Sequence, residues 1–162
     1  MKVNFKKLNE NAVKPYQKIN GDFCYDVVAT SCEEILPNVY KYGLGLAFEI
    51  ERNFEKINSK ISIDFKNSPV RLSLDFRPRS SVYKTGLSLA NPTGTIDEFY
   101  RGGVCAIFYH VMPNLPIYKV GDPIGQIKIG ITLPIEFEEV EELSTTVRGE
   151  GGFGHTDNIK KQ

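Results

Sequence analysis

The sequence has no excess of either charge, because its 20 lysine and arginine residues are balanced by 20 aspartate and glutamate residues. A balanced chain has no overall field that would draw it to nucleic acid or to an anionic membrane surface. Any site for an anion must therefore be built locally, from a few side chains. We accordingly expect neither nucleic acid nor a membrane among its partners.

Cysteine and histidine are scarce, with three and two residues. Cys24, Cys32 and Cys105 lack metal-ligand spacing and cannot all pair within one chain, so we expect reduced thiols and no zinc site. The N-terminus, MKVNFKKLNE, lacks the apolar stretch of a signal peptide, and no apolar run has the length of a membrane span. These absences predict a soluble, cytoplasmic protein.

Long amphipathic helices are also missing, and apolar residues recur mainly at a spacing of two, which indicates short strands. Such alternation marks Ile61–Phe65, Leu72–Phe76 and Ile127–Leu133. Val104–Val111 is almost continuously apolar, which predicts a strand covered on both faces. The only helix candidate is Phe137–Leu143, although an edge strand fits this acidic stretch equally well. With 14 glycines and 9 prolines between the runs, we expect one all-β domain, a sandwich or jelly roll.

The segment Arg148–Asp157 reads RGEGGFGHTD and is too rich in glycine to be core. Glycines allow positive φ angles and let backbone N–H groups approach an anion closely. Arg148 adds a planar cation for phosphate, and Phe153 adds an aromatic face for a base. A frayed tail is the ordinary alternative. We expect a β domain over residues 1–147 and a flexible arm over residues 148–162.

Three further polar clusters interrupt the strands. Arg77–Ser81 reads RPRSS and follows a predicted strand that ends at Phe76. Asn91–Gly102 reads NPTGTIDEFYRG, which predicts a tight hairpin with an aspartate and a tyrosine three residues apart. Val120–Gln126 predicts a glycine turn that leads into a strand. Each cluster alone is also compatible with an ordinary surface turn.

Together these segments resemble, in order, the five sequential motifs of trimeric dUTP diphosphatases. The motifs are GDFCYDVVA, PRSS, GTIDEFYRG, GDPIGQ and RGEGGFGHTD, which begin at residues 21, 78, 94, 121 and 148. The resemblance spans nearly the whole chain, and the second, third and fifth motifs are specific in order and spacing. It implies a jelly-roll-like subunit, a homotrimer that shares its active sites between subunits, and Mg²⁺-assisted hydrolysis of dUTP to dUMP and pyrophosphate.

The resemblance also implies roles for the third motif. Asp97 would be the base that activates water for in-line attack on the α-phosphorus. Tyr100 would stack on the deoxyribose and exclude ribonucleotides. The backbone of Gly94, Thr95 and Ile96, with Asn91 at the base of the hairpin, would read the uracil edge through hydrogen bonds.

Residues of the other motifs would surround the triphosphate. Arg79, Ser80 and Ser81 would hold phosphate oxygens from a neighbouring subunit, and Gln126 would lie near the α-phosphate. Asp26 would act indirectly, through waters around the magnesium ion.

The arm would close over the nucleotide. Arg148 and Thr156 would meet the γ-phosphate, Phe153 would cover the uracil, and Gly154 would also bind the substrate. We hypothesise that His155 donates a hydrogen bond to a terminal phosphate, although a solvent-exposed loop histidine is the ordinary alternative.

The sequence departs from the family pattern at several positions. Cys24 replaces a glycine in the first motif, Pro123 replaces an arginine in the fourth, and His155 and Asp157 replace serine and glycine in the fifth. The stretch Glu51–Arg71 is longer than the family needs between its first two motifs, and we expect a surface hairpin without an assigned role.

Two alternatives share the same fold. A dCTP deaminase would place a catalytic glutamate in Gly103–Phe108, but this stretch has no acid and Ile107 aligns best with the missing carboxylate. A non-catalytic nucleotide-binding or regulatory protein is compatible with the altered first and fourth motifs, although it would not need Asp97. A P-loop kinase or ATPase is excluded because no Lys-Ser or Lys-Thr follows the glycines of the arm.

Overall fold

Short β-strands form the regular structure of the computed structural model, which describes residues 1–56 and 62–150. The strands are β1 (Lys2–Lys7), β2 (Tyr25–Val28), β3 (Ser31–Leu36), β4 (Val39–Gly43), β5 (Leu46–Glu51), β6 (Phe54–Lys56), β7 (Ser62–Asp64), β8 (Arg71–Pro78), β9 (Leu87–Leu89), β10 (Gly94–Asp97), β11 (Cys105–His110) and β12 (Pro123–Thr132). One 3₁₀ helix covers Ser80–Lys84. The described residues contain no α-helix, and none of their helices is long and apolar enough to cross a membrane.

Two four-stranded antiparallel sheets carry the fold. Their strand orders are β10-β8-β12-β2 and β3-β4-β11-β9. Two smaller antiparallel pairs, β1 with β5 and β6 with β7, complete the described strands. The pair β6–β7 lies within Glu51–Arg71, where a surface hairpin is expected.

The core contains apolar side chains from both large sheets. Leu72, Leu74 and Phe76 of β8 are buried, as their alternation predicts. Phe108 of β11 is fully buried and meets Phe76 edge to face, with 6.3 Å between ring centroids. Tyr42 of β4 also meets the Phe108 ring edge to face, with 5.7 Å between ring centroids. These aromatic contacts join the two sheets, and the predicted all-β fold is confirmed.

The prediction that Val104–Val111 is covered on both faces is wrong for the single chain. Within β11, Ala106 and Phe108 are buried, whereas Cys105 and Tyr109 are exposed. The apolar composition of this strand therefore reflects one core face and one outer face. The three cysteines are free, as expected.

Phe137–Leu143 forms neither a helix nor a strand in the described structure, so both predictions for it are wrong. The segment is irregular and exposed, and Phe137 and Leu143 retain 91% and 87% of their accessible surface. Its apolar residues pack on no core within residues 1–56 and 62–150, and a short apolar pattern without tertiary packing does not stabilise a helix. The preceding strand, β12, ends at Thr132, before Leu133.

A buried ion pair joins two distant parts of the chain. Glu98, which follows β10, is buried, and its carboxylate accepts hydrogen bonds from both Nε and Nη2 of Arg52 at the end of β5. The hydrogen bond from Arg52 lowers the pKa of Glu98 below its usual value of 4.5, and the nearby charge of Arg71 acts in the same direction.

This pair predicts a loss of stability in acid. Because the pKa of Glu98 is lower in the folded chain than in the unfolded chain, its stabilising effect is complete above pH 4.5 and is lost as the pH falls through the folded value. We expect Glu98→Gln to be less stable than the wild type at pH 7, and the difference to shrink below about pH 4.5. Urea unfolding of both proteins between pH 3 and 7 measures this. Other carboxylates titrate alike in both chains, so a difference that stays constant with pH would contradict the prediction.

Candidate active site

The predicted site residues lie along strand β8 and the two strands that flank it. Gly94 of β10 pairs with Phe76, and Gln126 of β12 pairs with Arg77. Strand β8 extends to Pro78, two residues beyond its predicted end at Phe76. The cluster Arg77–Ser81 is therefore the end of a strand followed by a 3₁₀ helix that starts at Ser80.

A cavity of about 320 Å³ lies beside the start of β10. It is lined by Phe76, Leu89, Ala90, Asn91, Gly94, Cys105, Ala106 and Ile107. The cavity brings together Asn91 and Gly94, two of the residues expected to read a uracil edge. Within the loop, the Asn91 side-chain amide donates to the carbonyl of Thr93 at 3.0 Å.

The tight hairpin predicted around Pro92 and Gly94 is wrong. Strand β9 pairs with β11 in one sheet, whereas β10 pairs with β8 in the other. The loop between β9 and β10 therefore crosses from sheet to sheet. Proline and glycine indicate that the chain turns, but they do not indicate which strand it joins next.

Asp97 and Tyr100 belong to one tight turn at the end of β10. The Tyr100 N–H donates to the carbonyl of Asp97 at 3.0 Å, and both side chains are exposed. They line a common cavity of about 500 Å³. Of the two residues before Asp97 in β10, Thr95 is exposed and Ile96 is half-buried. The spacing of three in the sequence thus places a carboxylate and an aromatic ring beside the same space.

The Tyr100 ring is held close to the backbone that follows it. Its hydroxyl donates to the carbonyl of Gly103 at 3.2 Å. A methyl group added at Gly102 would overlap the Tyr100 ring and hydroxyl. Glycine at 102 therefore leaves the space that this ring position needs.

Asp26, Arg79 and Gln126 form a second cluster. The buried carboxylate of Asp26 accepts a hydrogen bond from Gln126 Nε2 at 2.9 Å and pairs with Arg79 Nη2 at 3.3 Å. Asp26 and Gln126 are also register partners in β2 and β12. Ser80 and Ser81 follow Arg79 directly, so this cluster gathers residues of the first, second and fourth motifs.

The donor set fits a magnesium ion held partly by substrate phosphates, which is what the resemblance implies. Within the described residues no group of three histidine, cysteine, aspartate or glutamate side chains lies together as a metal site. Mg²⁺ keeps several of its waters and is usually held by one or two carboxylates together with substrate phosphates. Asp26, whose carboxylate oxygens already contact Gln126 and Arg79, is suited to a contact through water.

The predicted glycine turn before β12 is confirmed. Gly121 has a φ of +93°, and the N–H of Asp122 donates to the carbonyl of Lys119 at 3.0 Å. The carboxylate of Asp122 accepts the N–H of Lys119 at 2.7 Å. Pro123 then starts the strand that carries Gln126.

The two polar clusters do not converge within one chain. Asp97 pairs with Ser73 of β8, whereas Gln126 pairs with Arg77, four positions further along that strand. Four residues of an extended strand span roughly 13 Å. Of the arm, Arg148 is described and exposed, whereas Phe153, Gly154, His155 and Thr156 lie outside the described residues.

The prediction from sequence missed Arg52, Glu98 and Arg101. Arg101 Nη1 donates to the carbonyls of Glu98 and Tyr100 at 2.7 and 3.1 Å, so it braces the turn that carries Asp97. Strand alternation was one available signal, because a residue next to an outward Asp97 should point inward. No pattern in the sequence pairs Arg52 with a glutamate that lies 46 residues away.

Comparison with known sequences identifies close relatives. The model of the dUTPase family matches residues 49–157. The deoxyuridine 5'-triphosphate nucleotidohydrolase of Nautilia profundicola is 34% identical over 158 residues, which cover 96% of this chain and 99% of the relative. The enzyme of the same name from Clostridium novyi is 35% identical over 157 residues, with the same shares covered.

Solved structures show the same fold. The dUTPase of Staphylococcus bacteriophage 80alpha with dUPNHPP superposes with a TM-score of 0.69 at 21% identity, over 94% of this chain and 96% of that one. The dUTPase of phage phi11 of S. aureus gives a TM-score of 0.64 at 18% identity, over 90% and 100% of the two chains. The family model and the near full-length relatives show that the chain belongs to the dUTPase family.

Proposed function

We propose that this dUTPase hydrolyses dUTP to dUMP and pyrophosphate with Asp97 as the general base. Hydrolysis of dUTP is the activity of the family to which the chain belongs. The observation that carries the assignment of the base is the turn that places Asp97 and Tyr100 beside one cavity. The reaction keeps uracil out of DNA and supplies dUMP, and the three free thiols suit a reducing cytoplasm.

In the proposed reaction Asp97 takes a proton from a water molecule as the water oxygen attacks the α-phosphorus. The bond between the α-phosphorus and the α,β-bridging oxygen breaks, and pyrophosphate leaves with that oxygen. Positioning and neutralisation of charge supply most of the rate in such chemistry. An exposed carboxylate at the end of a paired strand is both accessible to water and fixed in direction.

The nucleoside would lie along β10, with the uracil towards the cavity at the start of the strand and the sugar towards the cavity at its end. Tyr100 would pack on the deoxyribose, where its ring leaves no space for a 2′-hydroxyl. Asn91 and the backbone of Gly94, Thr95 and Ile96 would read the uracil edge. The cavity of about 320 Å³ beside Asn91 and Gly94 supports this placement.

The phosphates would meet the cluster around Asp26. Its ion pair and hydrogen bond orient Arg79 and Gln126, which would contact the phosphates together with Ser80 and Ser81. Asp26 would also bind waters of a magnesium ion, which would neutralise phosphate charge when bound.

A homotrimer with shared active sites would bring the two clusters together. The roughly 13 Å along β8 that separates Asp97 from Gln126 supports this arrangement. The exposed apolar residues after Gly130 support an assembly as well, because no surface among the described residues covers them. They are Ile131, Leu133, Ile135 and Phe137, which alternate along the sequence.

The arm would then close over the nucleotide. Arg148 and Thr156 would contact the γ-phosphate, with a hydrogen bond from His155 to a terminal phosphate. Phe153 would cover the uracil, and Gly154 would allow the backbone to approach the substrate.

A deaminase remains disfavoured at this site. Ile107 lines the cavity beside Asn91 and offers no carboxylate there. A non-catalytic nucleotide-binding protein would bind dUTP without cleaving it.

Asp97→Asn should lower turnover by roughly a hundredfold or more, the usual effect of removing a general base. Affinity for a non-hydrolysable dUTP analogue should stay within about threefold, since the amide keeps the shape of the side chain. Pyrophosphate release and calorimetric titration measure the two effects. Glu34→Gln is the control, because Glu34 is also an exposed carboxylate but lies on β3, where it accepts the N–H of Asn38 at 2.9 Å, outside the site. Equal turnover of the Asp97→Asn variant and the wild type would refute the base assignment.

Gly102→Ala should weaken the exclusion of ribonucleotides, because the added methyl group displaces the Tyr100 ring. We expect kcat/KM for UTP relative to dUTP to rise by about tenfold, the effect of a small change of fit in a pocket. Gly103→Ala is the matched control, since its methyl group would meet only the end of the Leu8 side chain. If Gly102→Ala keeps the wild-type ratio, Tyr100 does not set the sugar preference.

Shared active sites predict complementation between inactive variants. Arg79→Gln and Asp97→Asn chains should each form nearly inactive trimers. When the two chains are unfolded together and refolded in equal amounts, random assembly should restore about a quarter of the wild-type turnover. The restored sites combine the intact Asp97 of one chain with the intact Arg79 of another. Mixed trimers without restored activity would place both residues in a site within one chain.

A further inference from the structure

Arg52 uses all of its side-chain donors in a connected network. A guanidinium carries five N–H groups. Nε and one N–H of Nη2 bind the carboxylate of Glu98, the latter at 2.8 Å to Oε2. The remaining three bind backbone carbonyls at 2.7–3.2 Å, which belong to Phe65, Ser68 and Val70. Such a fully satisfied fork is rigid, because any rotation of the guanidinium breaks several bonds at once.

Glu98 transmits this rigidity to Asp97. The Asp97 side chain is exposed, whereas the next side chain, Glu98, points inward and is buried. Asp97 is the last residue of β10 and Glu98 is the first residue of the turn that follows, so a fixed Glu98 side chain holds the backbone from which the Asp97 side chain extends. A buried carboxylate held by two parallel hydrogen bonds cannot turn outward without leaving both charges unpaired.

The turn is braced at further points around the same pair. Glu98 Oε2 also accepts the N–H of Leu72 at 3.4 Å, which ties the turn to the start of β8. Arg101 Nη1 donates to the backbone carbonyl of Glu98 at 2.7 Å. The backbone on both sides of Glu98 is therefore fixed, while the Asp97 carboxylate remains open to solvent.

We infer that the Arg52–Glu98 ion pair is a positioning device for the general base, and this inference rests on the proposed role of Asp97. The three carbonyls that bind Arg52 lie in the second half of Glu51–Arg71, the long stretch to which the sequence analysis assigns no role. The inference gives this stretch a role. Its backbone carbonyls fix Arg52, and Arg52 fixes Glu98, which is next to the proposed base Asp97. Arg52 and Glu98 act through Asp97 and are not expected to touch the substrate.

Glu98→Gln tests the inference with little change of shape. The oxygen of the glutamine amide still accepts one N–H of Arg52, but its NH₂ group faces the second N–H. One of the two hydrogen bonds between residues 52 and 98 is therefore lost. We expect kcat to fall by about tenfold or more, since a small misplacement of a reacting group is costly. The dissociation constant of a non-hydrolysable dUTP analogue should stay within about threefold. Arg52→Lys keeps the charge but has three donors instead of five, and it should give the same pattern.

Asp75→Asn is the matched control. Asp75, like Glu98, is a carboxylate in an ion pair, but it is half-buried, pairs with Lys128 at 3.0 Å and lies on β8 opposite β10. It makes no contact with the turn among the hydrogen bonds and ion pairs of the described residues. Its turnover should therefore stay within about twofold of the wild type. Circular dichroism and gel filtration verify that each variant is folded and assembled. If Glu98→Gln is misfolded or fails to assemble, Arg52→Lys is the variant that tests the inference.

The double variant Asp97→Asn/Glu98→Gln separates positioning from an independent effect. If Glu98 acts through Asp97, the double variant should be no slower than Asp97→Asn alone, within about twofold. A further loss equal to that of Glu98→Gln would overturn the inference. So would wild-type turnover in folded Glu98→Gln, or a loss of analogue affinity as large as the loss of kcat.

The outcome for Asp97→Asn alone distinguishes this inference from the proposed function. If that variant is inactive and Glu98→Gln is fully active, the base assignment stands and only the positioning role falls. If Asp97→Asn retains wild-type turnover, the base assignment itself fails and the positioning role fails with it.

Discussion

The pairing of β8 with β10 on one side and with β12 on the other sets the positions of the candidate site residues. Leu72, Leu74 and Phe76 point into the core, so the strand has one permitted register. A slip of one residue would turn this apolar set outward. Because the register is fixed, Gly94 lies opposite Phe76 and Gln126 lies opposite Arg77. The site is thus a consequence of how the core packs.

Two buried carboxylates, Asp26 and Glu98, orient different parts of the candidate site. Asp26 pairs with Arg79 near the end of β8, and Glu98 pairs with Arg52 near its start. A buried ion pair contributes little net stability, but breaking one is costly because it leaves a charge without a partner. Each pair therefore acts mainly as a constraint on geometry. One constrains an arginine and an amide beside the predicted phosphates, and the other constrains the turn of the predicted base.

Strand alternation was sufficient to predict the all-β fold and the core positions of β8, because the period of two reports directly which side chains point inward. The apolar residues three apart in Phe137–Leu143 did not predict its structure, because this short pattern has no surface to cover among the described residues. Pro92 and Gly94 did not predict the path of their loop, since turn residues do not encode which sheet the next strand joins. The roles of Asp97 and Tyr100 came from the resemblance of ordered motifs, and the structure added that both lie in one turn. Arg52 was beyond prediction, because only the folded chain brings it to Glu98.

The net charge of zero is also found locally, because two arginines in and near the candidate site, Arg79 and Arg52, are each paired with a carboxylate. A triphosphate needs several cations, yet a chain with a large positive charge would attract other polyanions as well. Arg79 is neutralised locally by Asp26, and in the proposed site a phosphate would compete for it, whereas all donors of Arg52 are used by Glu98 and three backbone carbonyls. In the proposed site, the separation of Asp97 from the Asp26 cluster along β8 would restrict hydrolysis further. If the clusters meet only across subunits, a single chain cannot assemble the base and the phosphate contacts, and hydrolysis is confined to the complete assembly.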